Sequence, residues 1–297
     1  MEYLSPYIVA GFVFVFGLLI GSFLNVVIYR VPLGESIVLP SSHCPNCNAA
    51  IKPYDNVPVL SYALLGGRCR NCRAGISPIY PAIELLVAVL FLLVFIKDGY
   101  QFHVFDDHYM QVPARFWLTL IGDLTFISFI VPLIFIDLRH MLLPNALTFP
   151  GMAVLFLLRV LAPDAWQIRR TPHWFGLTEQ HEWALAIIGA LLGMLAGGGT
   201  LWFIRWAYQK LRHVEGMGPG DVKMMLMVGA FLGWQLTLLT IFIGSLLGSL
   251  IGIIVMRARG GNMRMEIPFG VFLGPAALTA LFVGKPLIDW YLGLSTR

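Results

Sequence analysis

Charge is scarce in this sequence. Asp, Glu, Lys and Arg make up 12% of its 297 residues, about half the share that a soluble domain carries. A water-soluble globular protein is therefore excluded, and a formal net charge of +4 is too small to argue for nucleic acid as a partner. No basic stretch precedes the first apolar run, from about Tyr7 to Ile28. That run is expected to persist as a membrane span and not to be cleaved as a secretory signal. A glycine-rich nucleotide loop of the Rossmann type is also missing, so any nucleotide-like ligand must be held by other means.

What is present is hydrocarbon. Apolar residues make up 58% and the mean hydropathy is +0.78. Beyond the first run, apolar segments lie near 81–96, 116–136, 146–162, 183–206, 222–234, 235–256 and 268–291. The pattern predicts an all-α polytopic membrane protein with about eight transmembrane helices. Thirteen of the twenty Lys and Arg fall in one set of loops, among them Arg30, Arg68, Arg139, Lys210 and Lys223. The positive-inside bias puts that set in the cytoplasm and both termini on the opposite, periplasmic side. Gly189, Gly193 and Gly197 recur every four residues, as do Gly244, Gly248 and Gly252. Such faces let membrane helices approach closely, and packing is the reading they receive. The histidines of the outer segments, His103, His108, His173 and His181, have no ligand-like spacing and are expected to be solvated.

One polar segment is sizeable on the inner side, about 31–80. The expected organisation is a first transmembrane helix at 1–30, a small cytoplasmic domain at 31–80 and a transmembrane core at 81–297. All four cysteines lie in the small domain, as CPNC (Cys44, Cys47) and CRNC (Cys69, Cys72), with 21 residues between the pairs. Two C-x2-C knuckles at this separation suit tetrahedral thiolate ligation of zinc. Disulfides compete as an explanation, but a cytoplasmic location is reducing. With four sulfur ligands the metal keeps no open position, so its role is structural.

Acids near the spans are few. Glu84, Asp137 and Asp221 stand at the inner membrane boundary, whereas Asp123 and Asp289 lie toward outer helix ends, where water is expected to reach them. Asp137 closes the third span and Asp221 opens the sixth. These helices run in opposite directions, so both acids reach one depth. Two carboxylates facing a common cleft can share a proton, one acting as acid and one as base, and activate water against a peptide carbonyl. The glycines before Asp221, including Gly218 and Gly220, would leave a flexible backbone beside which an extended peptide lies. The competing explanation makes each acid a helix-end residue beside a cation, Asp137 with Arg139 and Asp221 with Lys223. A transporter with a proton relay is a further possibility, as is a binding platform built on the metal domain. Ion flux would mark the first, and the second leaves the paired acids without a purpose.

Gly218-Pro219-Gly220-Asp221 resembles the GxGD signature of intramembrane-type aspartyl proteases. IDLRHMLLPNALTFP (136–150) resembles the first-aspartate segment of the type IV prepilin leader peptidase and N-methyltransferase family. GSFLNVVIYRVP (21–32), the two cysteine knuckles, ISPIYPAIEL (76–85) and GDVKMM (220–225) are similar to family blocks in the same order. The resemblance implies a bifunctional enzyme of the bacterial inner membrane. Such an enzyme cuts the short basic leader of type IV prepilins or type II secretion pseudopilins at the cytoplasmic face. It then methylates the new N-terminus, usually Phe, with S-adenosylmethionine. The catalytic aspartates carry over onto Asp137 and Asp221, and Gly218 and Gly220 onto the peptidase loop. Retention of all four cysteines implies both activities, because members lacking them are associated with cleavage alone. Polar residues in the matching blocks, namely Asn25, Arg30, Asp55, Asn56, Gly67, Arg68 and Glu84, are candidates for the methyl-donor site. Two departures stand out: Arg139 and Asn145 occupy positions where relatives often carry acids. Asp137 is left as the only carboxylate in its window.

Overall fold

The computed structural model describes residues 5–105, 112–161, 182–213, 217–258 and 268–295. Helices dominate, and among the described residues pairing of strand type is limited to two isolated bridges. Six helices are long and apolar enough to cross a membrane: Pro6–Leu33, Ile79–Gln101, Ala114–His140, Trp183–Arg212, Trp234–Val255 and Gly270–Gly293. The protein is thus a multi-pass membrane protein. All eight apolar stretches are helical, but two of them are short, with 17 residues at Asn145–Leu161 and 14 at Pro219–Leu232. Of the outer histidines, His108, His173 and His181 lie outside the described residues, as does Gly216. By its contacts the chain divides into two compact units, Met1–Val112 and Pro113–Arg297.

In the first unit, α1 (Pro6–Arg30) packs on α3 (Ile79–Gln101). A Cβ on Gly17 would lie 2.6 Å from the Ala88 Cα, and one on Gly21 equally close to the Glu84 Cα. Asn25 Nδ2 donates to the Tyr80 carbonyl at 3.1 Å. As the α1 number rises the α3 number falls, so the helices are antiparallel and pressed backbone to backbone. The short helix α2 (Leu60–Leu64) and two 3-10 turns lie in the polar segment between them.

The second unit gathers α4 (Ala114–His140), α5 (Asn145–Leu161), α6 (Glu182–Met194), α7 (Thr200–Arg212), α8 (Pro219–Leu232), α9 (Trp234–Ala258) and α10 (Gly270–Ser295). A π turn, Leu195–Gly199, joins α6 to α7. The centre is α8: Met224, Met225, Met227, Val228, Ala230 and Phe231 are wholly buried. A helix walled by protein is shielded from lipid along its length, which is why 14 residues suffice there. The glycine faces do pack. Gly193 meets the backbone of α8 at Gly229 and of its C-cap Gly233, Gly197 meets Met225, and Gly244 and Gly248 meet Leu273 and Phe272 of α10. Asp123 departs from expectation. It is fully buried and not at a wet helix end, because α4 is the most enclosed of the long helices.

Candidate active site

Asp137 sits in the last turn of α4, and Asp221 is the third residue of α8 behind the N-cap Gly218. Phe126 of α4 and Phe231 of α8 stack with centroids 4.9 Å apart and planes 15° apart. From that stack α4 runs eleven residues to Asp137, and α8 runs back ten residues to Asp221. At 1.5 Å per residue both acids lie about 15–17 Å along their helices from the rings, at one level. The two side chains interact electrostatically and are nearly sealed, at 4% and 7% exposure.

Neither acid, among the described residues, pairs with the cation two positions after it. Lys223 reaches across to α5 instead. Its Nζ donates to Asn145 Oδ1 at 2.8 Å and stands 5.6 Å from the Phe149 ring centre. The helix-end explanation of the two acids therefore loses its partners, and the departure at Asn145 acquires one. Asp137 Oδ2 accepts a 3.0 Å hydrogen bond from the Val271 backbone N–H in the first turn of α10. Helix N-termini favour anions, so this contact fixes one carboxylate oxygen where the dipole helps it. Gly270 makes the approach possible, since a Cβ there would stand 2.7 Å from Asp137 Oδ2. Gly220 does not leave a loose backbone as expected. It is helical, and a Cβ on it would meet the Leu143 side chain at 3.0 Å.

In the first unit the two knuckles are built alike. Cys44 N–H donates to the Ala49 carbonyl, and Cys69 N–H to that of Ala74, at 2.9 and 2.8 Å. Asn48 and Arg73, one residue past each second cysteine, both take left-handed backbone angles (φ 54° and 61°). The four Sγ atoms lie within 4.8 Å of one another and can hold a metal ion. None of the four is disulfide-bonded. Asn46 Nδ2 lies 3.6 Å from Cys72 Sγ and Asn71 Nδ2 3.6 Å from Cys47 Sγ, so each knuckle lends an amide to the other's sulfur. The Ala74 N–H, with Asn46 second, holds the Cys72 thiol down to about 6, so the thiolate is available near neutral pH.

Beside the cysteines lies a cavity of about 870 Å³, walled by α1, α3 and the polar segment. Asn25, Arg30, Asp55, Asn56 and Glu84 line it, whereas Gly67 and Arg68 do not. Several of these residues also hold the wall together. Glu84 Oε2 accepts the Val59 N–H at 2.7 Å, and Val59 has φ 58°, a strained angle for a β-branched residue. Asp55 takes both Nε and Nη2 of Arg70, with a shortest distance of 2.6 Å, and this pairing keeps its carboxyl below the ordinary range.

Comparison with known proteins bears on both sites. Residues 15–97 match the bacterial peptidase A24 N-terminal domain, and residues 124–253 match the type IV leader peptidase family. The prepilin leader peptidase/N-methyltransferase of Aeromonas hydrophila is 34% identical over 97% of this chain and 95% of its own length. The chain belongs to the type IV leader peptidase family. Proteins of the same name are equally similar, at 34%, in Pseudomonas aeruginosa strain PAO1, over 93% of this chain and 91% of theirs, and in Neisseria gonorrhoeae, over 98% and 97%. No solved structure matches. Within the family framework, Asp137 and Asp221 both fall in the 124–253 match and the four cysteines in the 15–97 match. Gly270 and Val271 lie beyond either match, and sequence reasoning missed them. The only signal was a glycine opening an apolar run, which reads as ordinary helix.

Proposed function

We propose that this chain removes the leader of type IV prepilins, or of type II secretion pseudopilins, and N-methylates the exposed residue. One observation carries the cleavage half: two nearly sealed carboxylates stand at one level and interact electrostatically, neither pairs with a cation among the described residues, and one is held by a helix N-terminus. With one carboxyl protonated and the other ionised, the ionised group draws a proton from water as its oxygen bonds to the scissile carbonyl carbon. The protonated group gives its proton to the carbonyl oxygen. Collapse of the resulting diol breaks the C–N bond, and the departing nitrogen takes up a proton. Because Val271 fixes one oxygen of Asp137, that carboxylate enters the reaction already oriented. Gly220 lets the head of α8 approach Leu143 closely beside the pair, and Gly218 caps that helix.

For the metal we infer zinc in a structural role, held by Cys44, Cys47, Cys69 and Cys72. Zn–S bonds of about 2.3 Å in a tetrahedron separate sulfurs by about 3.8 Å, and Cys44 and Cys72 Sγ stand 3.8 Å apart. S-adenosylmethionine would supply an electrophilic methyl group to the new amine. The cavity beside the zinc domain has the size and mixed lining of a small-molecule site. Asn25, Arg30, Asp55, Asn56 and Glu84 are the residues that would hold the donor there. Cleavage belongs to the pair in α4 and α8, and methyl transfer to the segment 31–80 with its flanking helices. The active sites face the cytoplasm, the termini the periplasm, and the membrane is the bacterial inner membrane.

The test is the intact mass of a prepilin incubated with purified protein, with and without S-adenosylmethionine. Leader loss in both samples, and one methyl group only with the donor, is expected. Asp137→Asn and Asp221→Asn should each slow cleavage by about 10³-fold or more while zinc content stays at one per chain. Cleavage at the normal rate by either variant would overturn the assignment.

A further inference from the structure

The apolar surface of α1 continues past the end of the helix. Leu19 and Phe23 are exposed on α1, and Tyr29 and Leu33 extend that exposed apolar surface to the helix end. The chain then turns back at once. Gly34 takes φ 69°, and Glu35 N–H donates to the Arg30 carbonyl at 3.1 Å. Buried Arg30 donates from Nη1 to the Ser36 carbonyl at 3.0 Å, which ties the turn to the helix end. Ser36 Oγ in turn accepts the N–H groups of Val38 and Leu39, each at 3.2 Å. This small scaffold presents Ile37, Val38 and Leu39 outward, with Val38 74% and Leu39 71% exposed.

Three consecutive exposed apolar residues are costly in water. Here they are not adrift. Two residues of extended chain span at most about 7 Å, so Val38 stays near the Arg30 side chain that holds Ser36. That places the tip beside the inner end of a membrane-spanning helix, within the headgroup and acyl boundary, which amphipathic segments penetrate by about 5–10 Å.

We propose that Ile37–Leu39 is an interfacial foot that inserts into the lipid surface and docks the metal-bearing segment on the bilayer. The occupant is lipid because the foot begins four residues past Leu33, the end of a helix long and apolar enough to span a membrane, and the Arg30–Ser36 bond ties it to that end. It gives the polar segment a third attachment besides α1 and α3 and limits how far the segment can tilt from the membrane.

A nitroxide on an unnatural amino acid at position 38 leaves the four cysteines untouched. The full-length protein would be placed in vesicles of phosphatidylethanolamine and phosphatidylglycerol, with a second sample labelled at exposed Arg73. At position 38, collision with oxygen should exceed collision with a nickel chelate several-fold, and at position 73 the order should reverse. Equal, water-like accessibility at both positions overturns the proposal. So does protection at position 38 that arises only when prepilin is added, since the tip would then be a substrate dock. A Val38→Leu variant carrying the label at position 39 repeats the reading if the first label perturbs the turn.

Discussion

The Asp137 carboxylate is held by a backbone donor that only a glycine allows to come close. At Gly270 the atom in the way of a Cβ is Asp137 Oδ2, the far end of a side chain, at 2.7 Å. Gly270→Ala should therefore leave the backbone in place and push the carboxylate off the Val271 N–H. A displacement of about 1 Å in a catalytic group can cost about 10²-fold, and a cleavage loss of that order is expected. The thermal midpoint in detergent should move little, and single-turnover cleavage with a melting curve reads both. A large drop in the midpoint would mean that Gly270 serves packing instead. Asp137 and Asp221 were legible in the sequence because acids are rare beside hydrocarbon and helix direction sets their depth. Gly270 was not, because its role depends on a contact 133 positions away, which no local pattern carries. Asn145 was visible only as a departure, and its bond to Lys223 shows what the substitution accommodates.

The glycine faces pose a different physical problem at the scale of elements. A Cβ on Gly193 would stand 2.1 Å from the Gly229 carbonyl oxygen and 2.8 Å from the Gly233 Cα. Both are backbone atoms, so no rotamer change relieves the clash and α6 must separate from α8. Overpacking of this kind costs about 1–3 kcal/mol. Gly193→Ala should lower the thermal midpoint by several degrees, while Gly11→Ala, with open space around it, should not. Because α8 carries Asp221, cleavage should fall in step with stability, unlike the selective loss at Gly270. The four-residue spacing of Gly189, Gly193 and Gly197 made this face legible in the sequence, since it lines small residues along one side of a helix. The shortness of α8 was legible too, but its cause was not: burial inside the second unit depends on α5, α6 and α9, which lie far from it in the chain or come from its other side.

For the whole molecule, the two candidate sites belong to different compact units. The cysteine cluster and cavity lie within Met1–Val112, whereas Asp137, Asp221, Gly270 and Val271 lie within Pro113–Arg297. The polar segment has almost no buried apolar core beyond Cys44, so its order would come from a metal held by the four cysteines, the Asp55–Arg70 pair and the Glu84 contact to Val59. Zinc in small peptides contributes about 10–16 kcal/mol of apparent binding free energy, far more than a surface ion pair of about 0–1 kcal/mol. Stripping the metal with a strong chelator should therefore release the segment 31–78. Hydrogen exchange should rise across both knuckles and stay unchanged along α4 and α8. Methyl transfer should be lost, because Asp55 and Asn56 of the cavity wall are carried by the released segment. Leader cleavage should persist within about twofold, since no metal ligand belongs to its unit. If chelation abolishes cleavage as fast as methylation, with the prepilin still bound, the two units are coupled in catalysis and the division of labour is wrong.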